Sequence, residues 1–380
     1  MAELVALDLP GGPDFVRALS EAWERGQAVA PLDRRLAKPA RRRLLEALRP
    51  SWVIDGQGRH PCQGALETED GDALVVATSG STGAPKAAVL THAAVAASAR
   101  ATSARLGVQP GRHRWLACLP LSHIGGLSVV TRALLTGTDL VVYDGFDADR
   151  VAGAAGPEVL VSLVPTALAR VGASRFAKVL LGGSAPPAGL PPNVVTTYGM
   201  TETGSGVVYD GVPLPGVEVR LSPAGEVLLR GPMLLRAYRD GTAPLDKEGW
   251  LATGDAGHFD ARGRLQVDGR LSDMVVTGGE NVWPAAVEHA LRHHRGISEV
   301  AVSSRPDPEW GERLVACVVP SDPASPPALA DLRALVGEEL APFAAPKELV
   351  LMTELPKTAS GKIRSDELRW QLSALTANHH

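Results

Sequence analysis

Cysteine is scarce in this 380-residue chain: Cys62, Cys118 and Cys317 are odd in number, far apart and without metal-ligand spacing. That argues against a disulfide framework and a cysteine-bound metal, and points to a reducing compartment. Long hydrophobic runs are missing too; none approaches the ~18 residues expected of a membrane-spanning helix. Glu3 and Asp8 stand at the N-terminus with no basic residue ahead of the first apolar stretch, unlike a signal peptide. The chain is therefore expected in the cytoplasm, without stable membrane insertion. Excess charge is also absent. A net charge of -4 and a pI near 6.2 give no footing for nucleic acid. The basic run Arg41 to Arg43 reads as the solvated face of an amphipathic helix with Leu44, Leu45 and Leu48. No Ser/His/Asp or Cys/His constellation stands out, and His293 and His294 read as complements to a helix end or as surface residues. There is no internal repeat or low-complexity tail.

What is present is an alternation of short apolar runs with Ala-rich, helix-compatible segments from about residue 73 to 200. The runs at 73–77, 115–119, 140–143, 159–164, 179–181 and 194–197 are each bounded by Gly, Pro, Asp or Asn. Fully apolar runs of that length suit strands buried on both faces, so the expected fold class is α/β with layered, mostly parallel sheets. Between about 212 and 268 short strands separated by Gly, Pro and Asp predict a small β subdomain. From 271 to 380 a strand, a helix opening on Pro284, two strands, a helix and a further strand predict a compact α+β module. The expected division is thus 1–270 and 271–380.

Three segments carry chemistry on their own terms. The loop Thr78, Ser79, Gly80, Ser81, Thr82, Gly83, Ala84, Pro85, Lys86 follows a predicted strand. Its glycines let backbone N–H groups approach an anion, and its hydroxyls donate further hydrogen bonds, as a polyphosphate requires. It is not a Walker A loop, because Pro85 precedes the lysine and Ala87 follows it. A plain flexible turn is the competing reading. Far downstream, Lys362 is flanked by glycine in PKTASGK. Gly182, Gly183 and Ser184 follow a predicted buried strand, at the edge where open α/β folds bind ligands.

The loop resembles the phosphate loop of the adenylate-forming superfamily, which includes acyl-CoA synthetases, peptide-synthetase adenylation domains and luciferases. Further motifs stand in that family's order: PLSHIGG at 120–126, YGMTET at 198–203, TGD at 253–255, GRLSDMVVTGGENVWP at 269–284 and PKTASGK at 356–362. The resemblance covers residues 73–370; the first 70 residues are shorter than the family's usual N-terminal region and carry nothing diagnostic. It implies an enzyme using ATP, Mg2+ and CoA. Thr78 to Gly83 and Lys86 would cradle phosphates. Tyr198, with Gly199 and Met200, would lie along adenine, Thr201 would reach a phosphate, and Glu202 would hold magnesium. Gly183 and Ser184 would border adenine and the acyl group. Asp255 and Arg270 would bind the ribose. Lys362 would bridge carboxylate and α-phosphate in the transition state. No general base is then needed, since a carboxylate is already ionised near pH 7. Gly278 and Gly279 would line the CoA channel, and Ser272 stands at the usual hinge position, where the family carries Asp or Lys.

Ser122, His123 and Ile124 replace the Asp with which amino-acid-activating relatives pair the substrate ammonium, so an amino acid is disfavoured. The compact length, VSLVPTALARV at 161–171 and the SHIGG motif are most similar to the o-succinylbenzoate-CoA ligases of menaquinone biosynthesis, in their actinobacterial form. This subgroup implies an acyl site at His123, Gly125 and Ser184, with Arg132 anchoring the second carboxylate of the acid; a surface arginine at a helix end is the alternative. Another fatty or aryl acid, or a non-catalytic nucleotide-binding protein of the same fold, are the competing functions. The sequence leaves oligomeric state, a homodimer included, open.

Overall fold

The computed structural model describes residues 2–78, 86–357 and 363–377. By internal contacts the chain forms two compact units: Met1–Arg220 with Leu228–Ala252, and Leu221–Val227 with Thr253–His380. The first unit holds two seven-stranded sheets. In one, strands run in the spatial order Ala237–Tyr238, Ala87–Thr91, Asp72–Ala77, Ala28–Pro31, Leu4–Leu7, Trp52–Asp55 and Gly58–Pro61. Its interior pairs are parallel and its outer pairs antiparallel. Leu4 to Leu7 are all wholly buried, as a central parallel strand with both faces covered must be.

The other sheet runs Val212–Pro213, Ser205–Tyr209, Val194–Met200, Lys178–Leu181, Val159–Leu163, Arg114–Ala117 and Asp139–Val142. Its last five strands are parallel. Helices Ala148–Gly153 and Pro165–Val171 pack over one face through Val151, Ala167 and Leu168, against Leu116, Val161, Leu163 and Val179. The α/β class read from the apolar runs therefore holds. One expectation is corrected: Asp72–Ala77 does not belong with the later runs but returns antiparallel into Ala87–Thr91, with Ala77 opposite Ala87. The connecting loop is too short for a crossover helix, so only a hairpin-like return is open to it. A second correction concerns the first 70 residues, which hold no motif yet build four strands of the first sheet.

Strands Glu218–Leu221, Glu226–Arg230, Leu251–Phe259 and Leu265–Arg270 form a four-stranded sheet in that order. The region expected as a β subdomain also gives Val212–Pro213 and Ala237–Tyr238 to the two larger sheets. In the second unit, Ile297–Asp307 and Gly311–Pro320 form a long antiparallel pair, with Glu348–Leu351 parallel to the latter. Alternation along these strands separates two cores. Val300, Val302, Leu314, Ala316 and Val318 pack with helices Pro284–Leu291 and Leu329–Glu339. Ala301, Val315 and Cys317 pack with Leu368 and Leu372 of helix Ser365–Ala377. Burial pushes the thiols of Cys118 and Cys317 up to about 12, so both are inert packing groups.

Candidate active site

The glycine and hydroxyl loop sits on the return between Asp72–Ala77 and Ala87–Thr91. Ser79, Gly80, Ser81, Thr82 and Gly83 lie outside the described residues, as does Lys362. The loop's two ends are tied: the Thr78 N–H donates to the Lys86 carbonyl at 2.8 Å, and the Thr78 hydroxyl is 3.3 Å from the same oxygen. Lys86 is exposed, its ammonium 5.2 Å from the ring centroid of Tyr238. The Tyr238 hydroxyl donates to Glu202 Oε1 at 2.9 Å. Three residues distant in sequence thus form one row: a cation at the foot of the loop, an aromatic ring and a carboxylate.

Glu202 lies in the 3-10 turn Thr201–Thr203, which follows strand Val194–Met200 directly. The turn is capped by its neighbours and not by Glu202. The Met200 N–H donates to the Thr203 hydroxyl at 2.9 Å, and Thr203 is within hydrogen-bond distance of the Met200 and Ser205 carbonyls. That leaves the carboxylate to face Tyr238. Gly199 is required by close approach: a Cβ there would lie 2.3 Å from the Ser205 carbonyl oxygen, where the strand bulges between Tyr198 and Gly199. Thr201 and Tyr198 are half-buried beside it. Gly183 and Ser184 are exposed just beyond the end of the parallel strand Lys178–Leu181.

Among the described residues no group of three or more His, Cys, Asp or Glu could hold a metal. Glu202 offers oxygen only, half-buried beside a phenol. This suits a hard cation held by one carboxylate and supplied with the remaining oxygens by a phosphate-bearing substrate, as is typical of magnesium.

His123 directly precedes helix Ile124–Thr136. Gly126 lets the helix start against the preceding loop, since a Cβ would fall 2.4 Å from the Leu119 carbonyl oxygen, while Gly125 is exposed. His123 Nε2 lies 3.2 Å from a guanidinium nitrogen of Arg35, which the sequence reading did not single out. Arg35 itself grips Asp33 with Nε and Nη2 at 2.8 and 2.7 Å. That grip holds Asp33 below the usual carboxylate range; His123, although exposed, is pushed below its ordinary value by partial desolvation and by the Arg35 charge, against the pull of Asp33.

Arg132, on the same helix, is 1% exposed and so is no surface residue. It stacks on Trp115 at 4.7 Å and donates one hydrogen bond, to Ser205 Oγ at 3.0 Å. Among the described residues its Nε and Nη1 have no partner, and burial pushes its basicity down. A buried, half-satisfied guanidinium that pairs with no carboxylate among the described residues is costly and calls for a reason.

In the second unit Asp255 and Arg270 face each other in register on paired strands, with Nε to Oδ1 at 2.9 Å. Arg270 also donates to the Thr253 carbonyl at 3.0 Å, and the Thr253 hydroxyl donates to the Val227 carbonyl at 2.7 Å. The TGD segment, which lies within strand Leu251–Phe259 and not in a turn, is therefore stapled to its sheet while the Asp255 carboxylate is pre-set beside a cation. Ser272 lies in the 3-10 turn Leu271–Asp273, 3.3 Å from Asp273 Oδ1. Asp273 in turn is 3.9 Å from Arg369. Gly278 and Gly279 form the two-residue turn between Val275–Thr277 and Glu280–Val282, with φ of 61° and 85°. Two successive positive φ values explain both glycines locally. Trp310 adds a second reason, because a Cβ on Gly278 would lie 2.8 Å from its ring. Lys347 stands 4.2 Å over that ring.

A cavity of about 640 Å3 lined by Glu3, Trp52, Cys62, Leu66 and Glu67 shares no residue with these motifs. Within each unit the motif residues, not that cavity, are the candidate functional groups.

Comparison with known proteins finds matches in both parts of the chain. Residues 60–239 match the family described as AMP-binding enzyme, and residues 286–362 its C-terminal domain. A probable 2-succinylbenzoate–CoA ligase of Mycobacterium tuberculosis is 37% identical over 86% of this chain and 93% of its own length. An indoleacetate–CoA ligase of Aromatoleum aromaticum is 34% identical over 94% of this chain and 86% of its own. The o-succinylbenzoate CoA synthetase of Bacillus subtilis, solved with the acyl-adenylate OSB-AMP, superposes with a TM-score of 0.84 at 26% identity over 97% of this chain and 88% of that one. With that fold, and relatives of this identity along most of its length, the chain belongs to the AMP-binding enzymes of the adenylate-forming superfamily.

Proposed function

We propose that this protein is an ATP-dependent, AMP-forming acid–CoA ligase of the cytoplasm whose acid is 2-succinylbenzoate. The observation that carries this reading is the buried Arg132 with two nitrogens unpartnered among the described residues, in a chain whose relatives include ligases named for that dicarboxylic acid. A second carboxylate on the substrate would meet the unsatisfied charge, directly or through water. Indoleacetate has no second carboxylate, so Arg132 favours the first acid over the second.

In the first half-reaction a carboxylate oxygen of the acid attacks the α-phosphorus of ATP. The O–P bond forms as the bond to diphosphate breaks. Thr78 to Gly83 and Lys86 hold the phosphates, Glu202 would hold the magnesium ion, and Lys362 neutralises charge between carboxylate and phosphate. Magnesium, when bound, supplies charge neutralisation and orientation of the phosphates. Tyr198, Gly199, Met200 and Gly183 flank adenine, Thr201 reaches a phosphate, and Asp255 with Arg270 takes the ribose hydroxyls. His123, Gly125 and Ser184 border the acyl group. In the second half-reaction the CoA sulfur attacks the acyl carbonyl, a C–S bond forms and AMP leaves. Residues 271–380 act as a mobile module pivoting near Ser272, which exchanges Lys362 for the Gly278–Gly279 turn along the pantetheine path.

The test is diphosphate exchange into ATP driven by single acids, followed by thioester formation on adding CoA. Exchange with 2-succinylbenzoate well above that with indoleacetate or a fatty acid supports the reading. Equal or greater exchange with another acid replaces the substrate, and exchange with none makes the chain a nucleotide-binding protein only.

A further inference from the structure

We infer that Arg35, through its fork on Asp33, is a positioning residue that fixes His123 as the neutral, Nδ1-protonated tautomer and so sets the hydrogen-bond donor offered to the acyl group. The recognition part of this inference rests on the acyl site proposed above; the tautomer part does not. The argument starts from what a guanidinium can do. It carries donors and no acceptor, so in the 3.2 Å contact between Arg35 Nη2 and His123 Nε2 the imidazole nitrogen must accept. A ring that accepts at Nε2 is neutral and carries its one proton on Nδ1.

The fork is what makes this choice durable. Nη2 gives one hydrogen to Asp33 Oδ2 at 2.7 Å, which leaves its second hydrogen for His123, while Nε holds Asp33 Oδ1 at 2.8 Å. Asp33 also accepts the Arg35 backbone N–H at 3.0 Å, closing a tight local turn. Asp33 Oδ2 itself is 3.8 Å from His123 Nε2, too far to accept a proton from it. Without Arg35, Asp33 would be the obvious partner, and it would draw the proton to Nε2 and favour the imidazolium. The arginine thus reverses the outcome that a lone Asp–His pair would give.

The loop that carries the pair is itself held. The Leu32 N–H donates to the Leu7 carbonyl at 2.9 Å. Arg41 pairs with Asp8, and Arg34 reaches Asp8 at 3.8 Å and Asp144 at 3.6 Å. Asp144 also accepts the Gly11 N–H at 2.9 Å. Asp33 and Arg35 are the charged groups facing His123. His123 is exposed, with 49% of its side chain open to solvent, so its partial desolvation disfavours a second proton only in part, and the Arg35 cation in contact with Nε2 acts in the same direction, consistent with a neutral imidazole at pH 7.

The experiment combines 15N-histidine NMR with diphosphate exchange on the full chain. His123→Gln identifies the His123 signals among the ten histidines by their loss. In the wild type, His123 should show a protonated Nδ1 and an unprotonated Nε2 at pH 7. In Arg35→Met its proton should shift to Nε2 and its titration should move to higher pH, with the other histidines unmoved. In parallel, the KM for 2-succinylbenzoate should rise about threefold to tenfold, as for one lost hydrogen bond, with the KM for ATP unchanged. The rise should vanish when Arg35→Met is made in the His123→Gln background. Arg35→Lys, which keeps a donor but not the fork, should fall between. An Nε2-protonated ring in the wild type, or a tautomer indifferent to Arg35→Met, overturns the inference. A tautomer shift without a change in the KM for the acid overturns its recognition part. The expected tautomer in an enzyme that gives no exchange with 2-succinylbenzoate refutes instead the substrate proposed above.

Discussion

Tyr238 and Glu202, thirty-six positions apart, meet in a 2.9 Å hydrogen bond from phenol to carboxylate, and the same ring lies 5.2 Å from the Lys86 ammonium. Two of these residues fall in motifs of the adenylate-forming resemblance; the residue that joins them does not. If the ring holds the carboxylate for the phosphate-bound cation, removing the hydroxyl loosens that grip without deleting the ligand. Tyr238→Phe should then cost about 1 kcal/mol in adenylation, roughly fivefold in exchange rate, and raise the magnesium concentration required. Glu202→Gln should abolish most of the exchange. A Tyr238→Phe enzyme with wild-type exchange and magnesium dependence would reduce the contact to a packing detail.

Arg132 should show a conflict between stability and recognition. Its charge is buried with one hydrogen bond and two nitrogens unpartnered among the described residues. Replacing such a group by an apolar side chain of similar length is often neutral or stabilising, by up to about 4 kcal/mol. Arg132→Met is expected to melt no lower than the wild type while its KM for 2-succinylbenzoate rises at least tenfold. Calorimetry and exchange kinetics on one preparation check both. An unchanged KM ends the anchoring role.

The two half-reactions should separate by mutation. Lys362→Ala should cripple adenylate formation yet largely spare thioester formation from preformed acyl-adenylate. Gly278→Ala should do the reverse, because an alanine at φ 61° costs about 1–2 kcal/mol and its Cβ would press on Trp310. Gly279 has a φ of 85° but open space around it, so Gly279→Asn should be the milder change. Single-turnover assays of each step decide this, and equal loss of both steps in either Lys362→Ala or Gly278→Ala would count against the division.

Glu288 sets a pH dependence of stability. On helix Pro284–Leu291 it is mostly buried, and burial raises its pKa above the ordinary 4.5 despite the Val302 N–H donating to it at 2.9 Å and Arg292 nearby. A raised carboxyl pKa means the folded state binds this proton more tightly than the unfolded one. The contribution therefore favours folding as pH falls through the raised value, is complete below about 4.5, and is lost as pH rises. Glu288→Gln keeps an acceptor for Val302 and removes the charge. It should be more stable than the wild type at neutral pH, with the advantage shrinking as pH falls toward 4.5. Denaturant titrations at several pH values test the sign.

Much of this molecule was legible one segment at a time. The apolar runs of the five-stranded parallel stretch, the helix opening on Pro284 and the alternating strands of the second unit follow from patterns a few residues wide. The loop of glycines, hydroxyls and a lysine suits an anion by its composition, while the acid-activating chemistry comes from the resemblance carried by six motifs in order. Local patterns fail where partners are remote. The first 70 residues show no motif, yet they complete a sheet and bring Arg35 to a histidine 88 positions later. Arg132 reads as an anchor with a surface arginine as the alternative, and only its burial removes that alternative. Gly278 looks like a channel glycine until the turn and Trp310 supply their own demands. Composition and spacing determine which elements form and which chemistry they can carry, because backbone preference and side-chain type are local properties. Which tautomer His123 holds, what Glu202 leans on and how costly the Arg132 charge becomes are decided by packing, because desolvation and hydrogen-bond geometry exist only once distant strands have met.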